Sequence, residues 1–185
     1  MSEQGGRYQR SAAGMVGALI VTVAAIAAFV GFRAINRNDL DVTPDTVDYL
    51  EAVSALQGAG REVVYPPTLP DGWRVTSLDS VPGDRPAWGL GMLTDDGAFV
   101  GVRQEDESID NLVEQYVDED AAEGESLSVP DGLATSWSSW TDDGGDVGYA
   151  ADVDGESVLV YGSAGAADVQ ELLELLTKDP TAASG

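Results

Sequence analysis

The sequence predicts an α+β protein: an N-terminal transmembrane helix followed by one antiparallel sheet domain with covering helices. Three observations carry this reading. A single uncharged, apolar run of 22 residues lies near the start. Asp-Gly turns then separate short strand-like segments, and three later stretches repeat apolar residues at helical spacing.

The first element is Ser11 to Phe32, which contains no charged residue. As a helix it would reach roughly 33 Å, enough for a hydrocarbon core of about 30 Å. Arg7 and Arg10 flank it on one side, Arg33 and Arg37 on the other. Arginine is costly in the bilayer, so these four residues mark its ends. A cleavable leader is the competing reading, with Ala25-Ile26-Ala27 as a small-x-small site. The apolar run continues past it through Phe32 and exceeds the usual leader core of about 7–15 residues, which favours an uncleaved anchor. The arginines tie two against two, and the terminal amine tips the orientation towards a cytoplasmic N-terminus. The chain then divides into a short cytoplasmic tail (1–10), the transmembrane helix (11–32), a juxtamembrane linker (33–42), an acidic extracytoplasmic domain (43–178) and a disordered C-terminus (179–185). Small residues recur four apart in the span, as at Ala24/Ala28 and Ala27/Gly31, a spacing that permits close helix contact but arises readily in any Ala/Gly-rich run.

Within the domain, Thr43 as N-cap and Pro44 at the first helical position predict a helix through Val47, Leu50, Val53 and Leu56, ended by Gly58. Arg61 to Tyr65 reads as a strand stopped by Pro66-Pro67. Pro70-Asp71-Gly72-Trp73 is a turn into the strand Arg74 to Leu78. Trp88 to Thr94 and Ala98 to Arg103 form a hairpin about Asp95-Asp96-Gly97. Ser108 caps the clearest amphipathic helix, with Ile109, Leu112, Val113, Tyr116 and Val117 on one face. Leu133 to Thr141, Val147 to Val153 and Glu156 to Gly162 follow as strands, the last two joined at Asp154-Gly155. Val169, Leu172, Leu173, Leu175 and Leu176 give the final helix, Ala166 to Leu176, its apolar face. Thr-Asp-Asp-Gly occurs at 94–97 and again at 141–144, either a relic of duplication or two independent hairpin turns.

These residues resemble an uncharacterised family of actinobacterial single-pass membrane proteins, the domain of unknown function 4245. The resemblance lies in the Arg-flanked anchor, Tyr65-Pro-Pro-Thr-Leu-Pro-Asp-Gly-Trp73, the strand near Trp137 and Trp140, and Val158-Leu-Val-Tyr-Gly-Ser-Ala164 before the last helix. It implies membrane attachment with an extracytoplasmic domain, and it carries no activity, cofactor or ligand. More distantly, the strand-hairpin-helix order is similar to the Mog1/PsbP-type α/β/α sandwich.

Composition narrows the chemistry. There is no cysteine, no histidine and one lysine, Lys178, close to the C-terminus. Thiolate and imidazole catalysis, histidine-ligated zinc and disulfides are excluded. Met1 to Arg37 holds four arginines against one glutamate, whereas Asn38 to Gly185 holds 32 acidic residues against five basic ones. So acidic a body repels phosphate backbones, and no nucleic-acid partner is expected. Asp95-Asp96, Asp142-Asp143-Asp146 and Asp152-Asp154-Glu156 could ligate calcium, but none matches an EF-hand loop, and Asp-Gly pairs also simply make hairpins. No spacing singles out a carboxylate pair for glycoside hydrolysis. Trp73, Trp88, Trp137 and Trp140 could line a sugar or lipid pocket, but Trp137 and Trp140, three apart in a strand, point to opposite faces. The expected function is a membrane-anchored binding or accessory domain at the cell envelope. It has no catalytic residue, cofactor or metal, and the lipid bilayer is its one assigned partner. The alternatives are an acidic-residue envelope hydrolase, with or without calcium, and a structural subunit of a membrane complex.

Overall fold

The computed structural model describes residues 46–181. The expected transmembrane helix, with Arg7, Arg10, Arg33 and Arg37, lies outside the described residues, as do Thr43 and Pro44. Among the described residues, no helix is long and apolar enough to cross a membrane.

The first described element is helix α1, Tyr49–Gly58, which begins later than the Thr43 cap would place it. Val47 is held in the extended approach to the helix because its N–H donates to the Val75 carbonyl at 3.0 Å. Asp48 then serves as the cap, its carboxylate accepting from Glu51 N at 3.3 Å. Short aspartate side chains do this by satisfying a first-turn N–H that has no helical partner.

Strands β1 (Arg74–Val81), β2 (Ala87–Leu93) and β3 (Phe99–Glu105) form a meander. Gly72, at φ 81°, provides the left-handed residue that the Pro70–Trp73 turn needs, closed by Trp73 N–H donating to Pro70 O at 3.2 Å. Helix α2, Ile109–Tyr116, follows, and the Ser108 hydroxyl accepts from Asn111 N at 3.3 Å. Ser108→Ala should therefore cost about 1 kcal/mol in a urea titration, and a change below a few tenths would show the cap to be idle.

Two short strands, β4 (Ala122–Glu123) and β5 (Leu127–Ser128), pair with β6 (Ser136–Thr141). They break one sheet edge into pieces too short to template another chain. Strands β7 (Val147–Val153) and β8 (Glu156–Gly162) and helix α3 (Ala166–Leu175) complete the domain. The eight strands make one antiparallel sheet ordered β1-β2-β3-β8-β7-β6-β4, with β5 also on β6.

Strand alternation divides the core. Val102 pairs with Val160, and Arg103 with Leu159, so Val100, Val102, Val158 and Val160 point to one face and Arg103, Leu159 and Tyr161 to the other. The first, inner face carries the main core, which includes Val53 of α1 and Val169, Leu172 and Leu173 of α3. The outer face carries a smaller cluster in which Leu112 and Val113 of α2 cover Trp140, Ala150 and Leu159. Helices thus lie on both faces, an α/β/α layering.

The Thr-Asp-Asp-Gly pair does not mark equivalent turns. The first loop closes from Thr94 N to Ala98 O at 2.9 Å, the second from Asp142 N to Asp146 O at 3.1 Å, one residue later in the motif. The helices that follow the two meanders also cover opposite faces, whereas a two-fold rotation relating the antiparallel β3 and β8 would leave both on one face. Two independent hairpins with the same turn chemistry account for the match.

Arg61 to Tyr65, expected as a strand, runs extended beneath the inner face and joins no ladder except one bridge, Tyr65 to Thr177. Val63 and Val64 are fully buried there. Sheet side chains satisfy its backbone: Gln104 Oε1 accepts from Val64 N at 2.7 Å, Gln104 Nε2 donates to Glu62 O at 3.0 Å, and Trp88 Nε1 donates to Val64 O at 2.9 Å. Leu133–Thr135, expected within β6, belongs to the preceding turn, where Ala134 O accepts from Trp137 Nε1 at 3.0 Å. Residues 179–181, expected in a disordered end, are held: Tyr65 Oη and Gln57 Nε2 donate to Asp179 O at 2.8 and 3.0 Å, and Thr181 N donates to Gln57 Oε1 at 2.8 Å.

Candidate functional site

Helix α2 packs over β8 and β7. Among the described residues, no helix covers β1 and β2 on the outer face, where Ser77, Asp79 and Val81 are exposed. Across this half the register brings Ser77 and Asp79 beside Gly91 and Gly89, and these beside Gly101 and Arg103. Every second residue of β2 in Trp88-Gly89-Leu90-Gly91-Met92 is glycine, so the inner face is filled and the outer face is bare.

The bare backbone lets large side chains lie flat. A Cβ on Gly89 would come within 2.6 Å of Arg103 Nη1, and one on Gly101 within 2.6 Å of Tyr161 Cε1. A Cβ on Gly91 would strike Ser77 Oγ and lie 3.2 Å from Phe99 Cε2. Glycine within a strand commonly marks such close approach. Phe99 and Tyr161 meet edge to face at 5.8 Å and 64°, and Tyr116, from the last turn of α2, lies 5.4 Å from Tyr161.

Arg103 is the polar centre, its side chain only 11% exposed. Its Nη1 donates to Asp79 Oδ2 at 2.7 Å, and Nε and Nη2 donate to Glu105 Oε1 at 2.9 and 2.5 Å. The guanidinium stands 4.8 Å over the Tyr116 ring, and Tyr116 Oη donates to the same Glu105 oxygen at 2.8 Å. Burial works against the Arg103 charge, but the bonds to Asp79 and Glu105 more than restore it and raise its pKa. Burial raises the Tyr161 pKa and, with the Glu105 hydrogen bond, pushes Tyr116 up to about 12. Tyr49, whose hydroxyl donates to Pro66 O at 2.7 Å, is pushed up to about 12 chiefly by burial as well.

The linkage has a definite sign. A tyrosine with a raised folded pKa contributes stability below its unfolded value of 10.0 and loses it as pH rises through about 12. Stability should fall across that interval, and Tyr49→Phe and Tyr116→Phe should each make the fall shallower. Unfolding followed against tyrosinate absorbance checks this; an unchanged slope in both variants would refute it.

The side chains singled out in the sequence do not converge. Trp88 and Trp137 are buried in the inner core, Trp73 packs half-buried at its margin, and Trp140 lies on the outer face under α2, so the four form no common pocket. The acidic turns spend their carboxylates locally. Asp96 accepts from Thr94 Oγ1, Asp142 Oδ1 from Asp146 N at 2.7 Å, and Asp152 Oδ1 from Gly155 N at 3.2 Å. Asp154 pairs with Lys178, and Glu156 accepts from Gln104 Nε2 at 2.6 Å. Among the described residues, no three acidic side chains are placed to hold a metal ion. A hollow of about 690 Å³ beside α2 is lined by Glu105, Glu107, Glu114, Asp118 and Glu119 among others. Its Glu107 is held below the usual carboxylate range by Asn111, Ser108 N and Arg85, the opposite of what a general acid needs.

Sequence reasoning missed Arg103, Phe99, Tyr116 and Tyr161 as a group. The available signal was the alternate glycine in β2, which reads as an emptied strand face.

No curated protein and no solved structure matches the chain. The family model described as "Protein of unknown function (DUF4245)" matches residues 7–176. That span takes in the described domain up to the end of α3 and most of the sequence before it, and the chain belongs to the DUF4245 family.

Proposed function

We propose that this protein is a membrane-anchored, non-catalytic binding or accessory domain at the outer side of the cell membrane. Ser11–Phe32 is the anchor, with Arg7 and Arg10 on the cytoplasmic side and Arg33 and Arg37 on the far side. The α/β/α layering is in keeping with the Mog1/PsbP-type sandwich as its fold.

The uncovered outer face of β1 and β2, with the Arg103 layer of β3 beside it, carries the binding reading. A sheet face with no helix over it would ordinarily be left polar. Here glycines instead seat an arginine, a phenylalanine and a tyrosine in one layer, which Tyr116 of α2 borders. Tyrosine and arginine are the residues that concentrate binding energy at contact surfaces; tyrosine offers large area with little entropy lost, and Arg103 is already held in place by Asp79 and Glu105. The strong acidity keeps the rest of the surface soluble and turns polyanions away.

Protease shaving of intact cells carrying a C-terminal tag tests the location. Loss of the tag supports an extracytoplasmic domain, and full protection with the protein still membrane-bound puts the domain in the cytoplasm.

A further inference from the structure

We infer that the cleft in the uncovered sheet face is a subsite for a neutral polyhydroxylated ring, the pyranose unit of a saccharide. This rests on the reading of that face as a binding surface and names its ligand class. The cleft measures about 110 Å³ and is lined by Ser77, Asp79, Gly91, Phe99, Arg103 and Tyr161 among others. Its floor is the Ser77 and Arg103 side chains that lie over Gly91 and Gly89, and its wall is the edge-to-face pair of Phe99 and Tyr161. Aromatic rings of this kind take the C–H surface of a flat, partly apolar ligand.

The polar groups around the cleft are mixed in sense, which selects for hydroxyls. Among the described residues, the Ser77 and Tyr161 hydroxyls have no hydrogen-bond partner, and Asp79 offers Oδ1 while Oδ2 holds Arg103. Arg103 spends one donor at each of its three nitrogens and keeps two of the five that a guanidinium carries. A sugar hydroxyl donates and accepts together, so acceptor and donor sets this close suit it better than a group of one sense.

Charge leads to the same class. Net charge −24 and Asp79 repel an anion, whereas a cation would enter beside the Arg103 guanidinium. A neutral ligand meets neither penalty. The volume admits one side of a single ring without engulfing it, so affinity for a monosaccharide should lie near about 1 mM.

The test uses the full chain in an amine-oxide detergent, which has no sugar headgroup, with methyl glycosides of glucose, mannose and galactose as probes. Saturation-transfer NMR should show transfer to the ring C–H protons of at least one probe. Ser77→Ala and Tyr161→Phe should each weaken that binding roughly three- to tenfold, the size of one lost hydrogen bond, with the melting temperature unchanged. No transfer to any glycoside overturns the inference, as does transfer that neither substitution alters. Chemical-shift changes at Phe99 and Tyr161 with a lysine peptide, and none with a glycoside, would assign the cleft to a cation instead. A discrete protein adduct from a photo-crosslinking residue placed at position 81, without any glycoside signal, would sink the sugar subsite and leave the binding-domain reading intact. Glycoside binding alongside full protection of the tag from protease would do the reverse to the location.

Discussion

Gln104→Leu should lower the unfolding free energy by about 3 kcal/mol, because it strips the buried extended segment of partners it cannot replace. The Gln104 amide is 1% exposed and takes the place of a neighbouring strand residue. It accepts from Val64 N and donates to Glu62 O, the two-way exchange that a ladder partner makes. Leucine fills similar space but leaves the Val64 N–H in an apolar surrounding, where an unsatisfied donor costs about 1–3 kcal/mol. The second amide hydrogen, on Glu156 Oε2, is lost as well. Urea unfolding followed by tryptophan fluorescence measures the effect, and Trp88, bonded to Val64 O, reports on the same segment. A loss below 1 kcal/mol would show that water or a backbone shift replaces the amide. Gln104→Glu keeps the acceptor, so it separates the two bonds: it should hold Val64 while repelling Glu156.

Gly162→Ala should destabilise by an amount on the order of 3–5 kcal/mol, through backbone and not side-chain conflict. Gly162 ends β8 at φ 151°, outside the range comfortable for an L side chain. An added Cβ would run into the Phe99 carbonyl oxygen and lie 2.9 Å from its carbon and 3.1 Å from Val100 Cα. That carbonyl already accepts from Ala164 N at 3.1 Å, so moving it also loosens the turn into α3. Gly101→Ala is the contrasting variant. The atoms nearest its Cβ belong to the Tyr161 side chain and not to backbone, so it should cost less stability and disturb the outer layer more. Thermal melts of the two variants separate these cases. Equal losses would mean that the β8–β3 junction yields where the structure shows it tight.

These two positions show how much was legible in the sequence. The Asp-Gly hairpins and the Ser108 helix were readable because their signals are local: a turn needs particular residues at particular offsets, and a cap sits next to the N–H it satisfies. The opposite facing of Trp137 and Trp140 followed from strand period alone. Arg61–Tyr65 was read as a strand because its composition and extended form are those of one. That its pairing groups would be side chains 40 residues away is not encoded nearby. The later start of α1 depends on the Val47–Val75 contact, and the two-residue strands β4 and β5 exist only because β6 lies beside them. The candidate face was half visible. The alternate glycines Gly89 and Gly91 were a signal left unused in the sequence, and which side chains would lie on that surface depended on β3 and β8 meeting in one register.

The central claim is that the β1–β3 outer face is where this protein meets its partner. Val81 and Leu50 are its two exposed large apolar residues among those described, at 46% and 38% exposure. Val81 borders the candidate face, and Leu50 lies on α1, which packs against the other side of the sheet. A photo-crosslinking residue placed at each position in intact cells compares the two faces directly. A discrete adduct from position 81 and none from position 50 is the predicted result. The same adducts from both positions, or one from position 50 alone, would contradict the account.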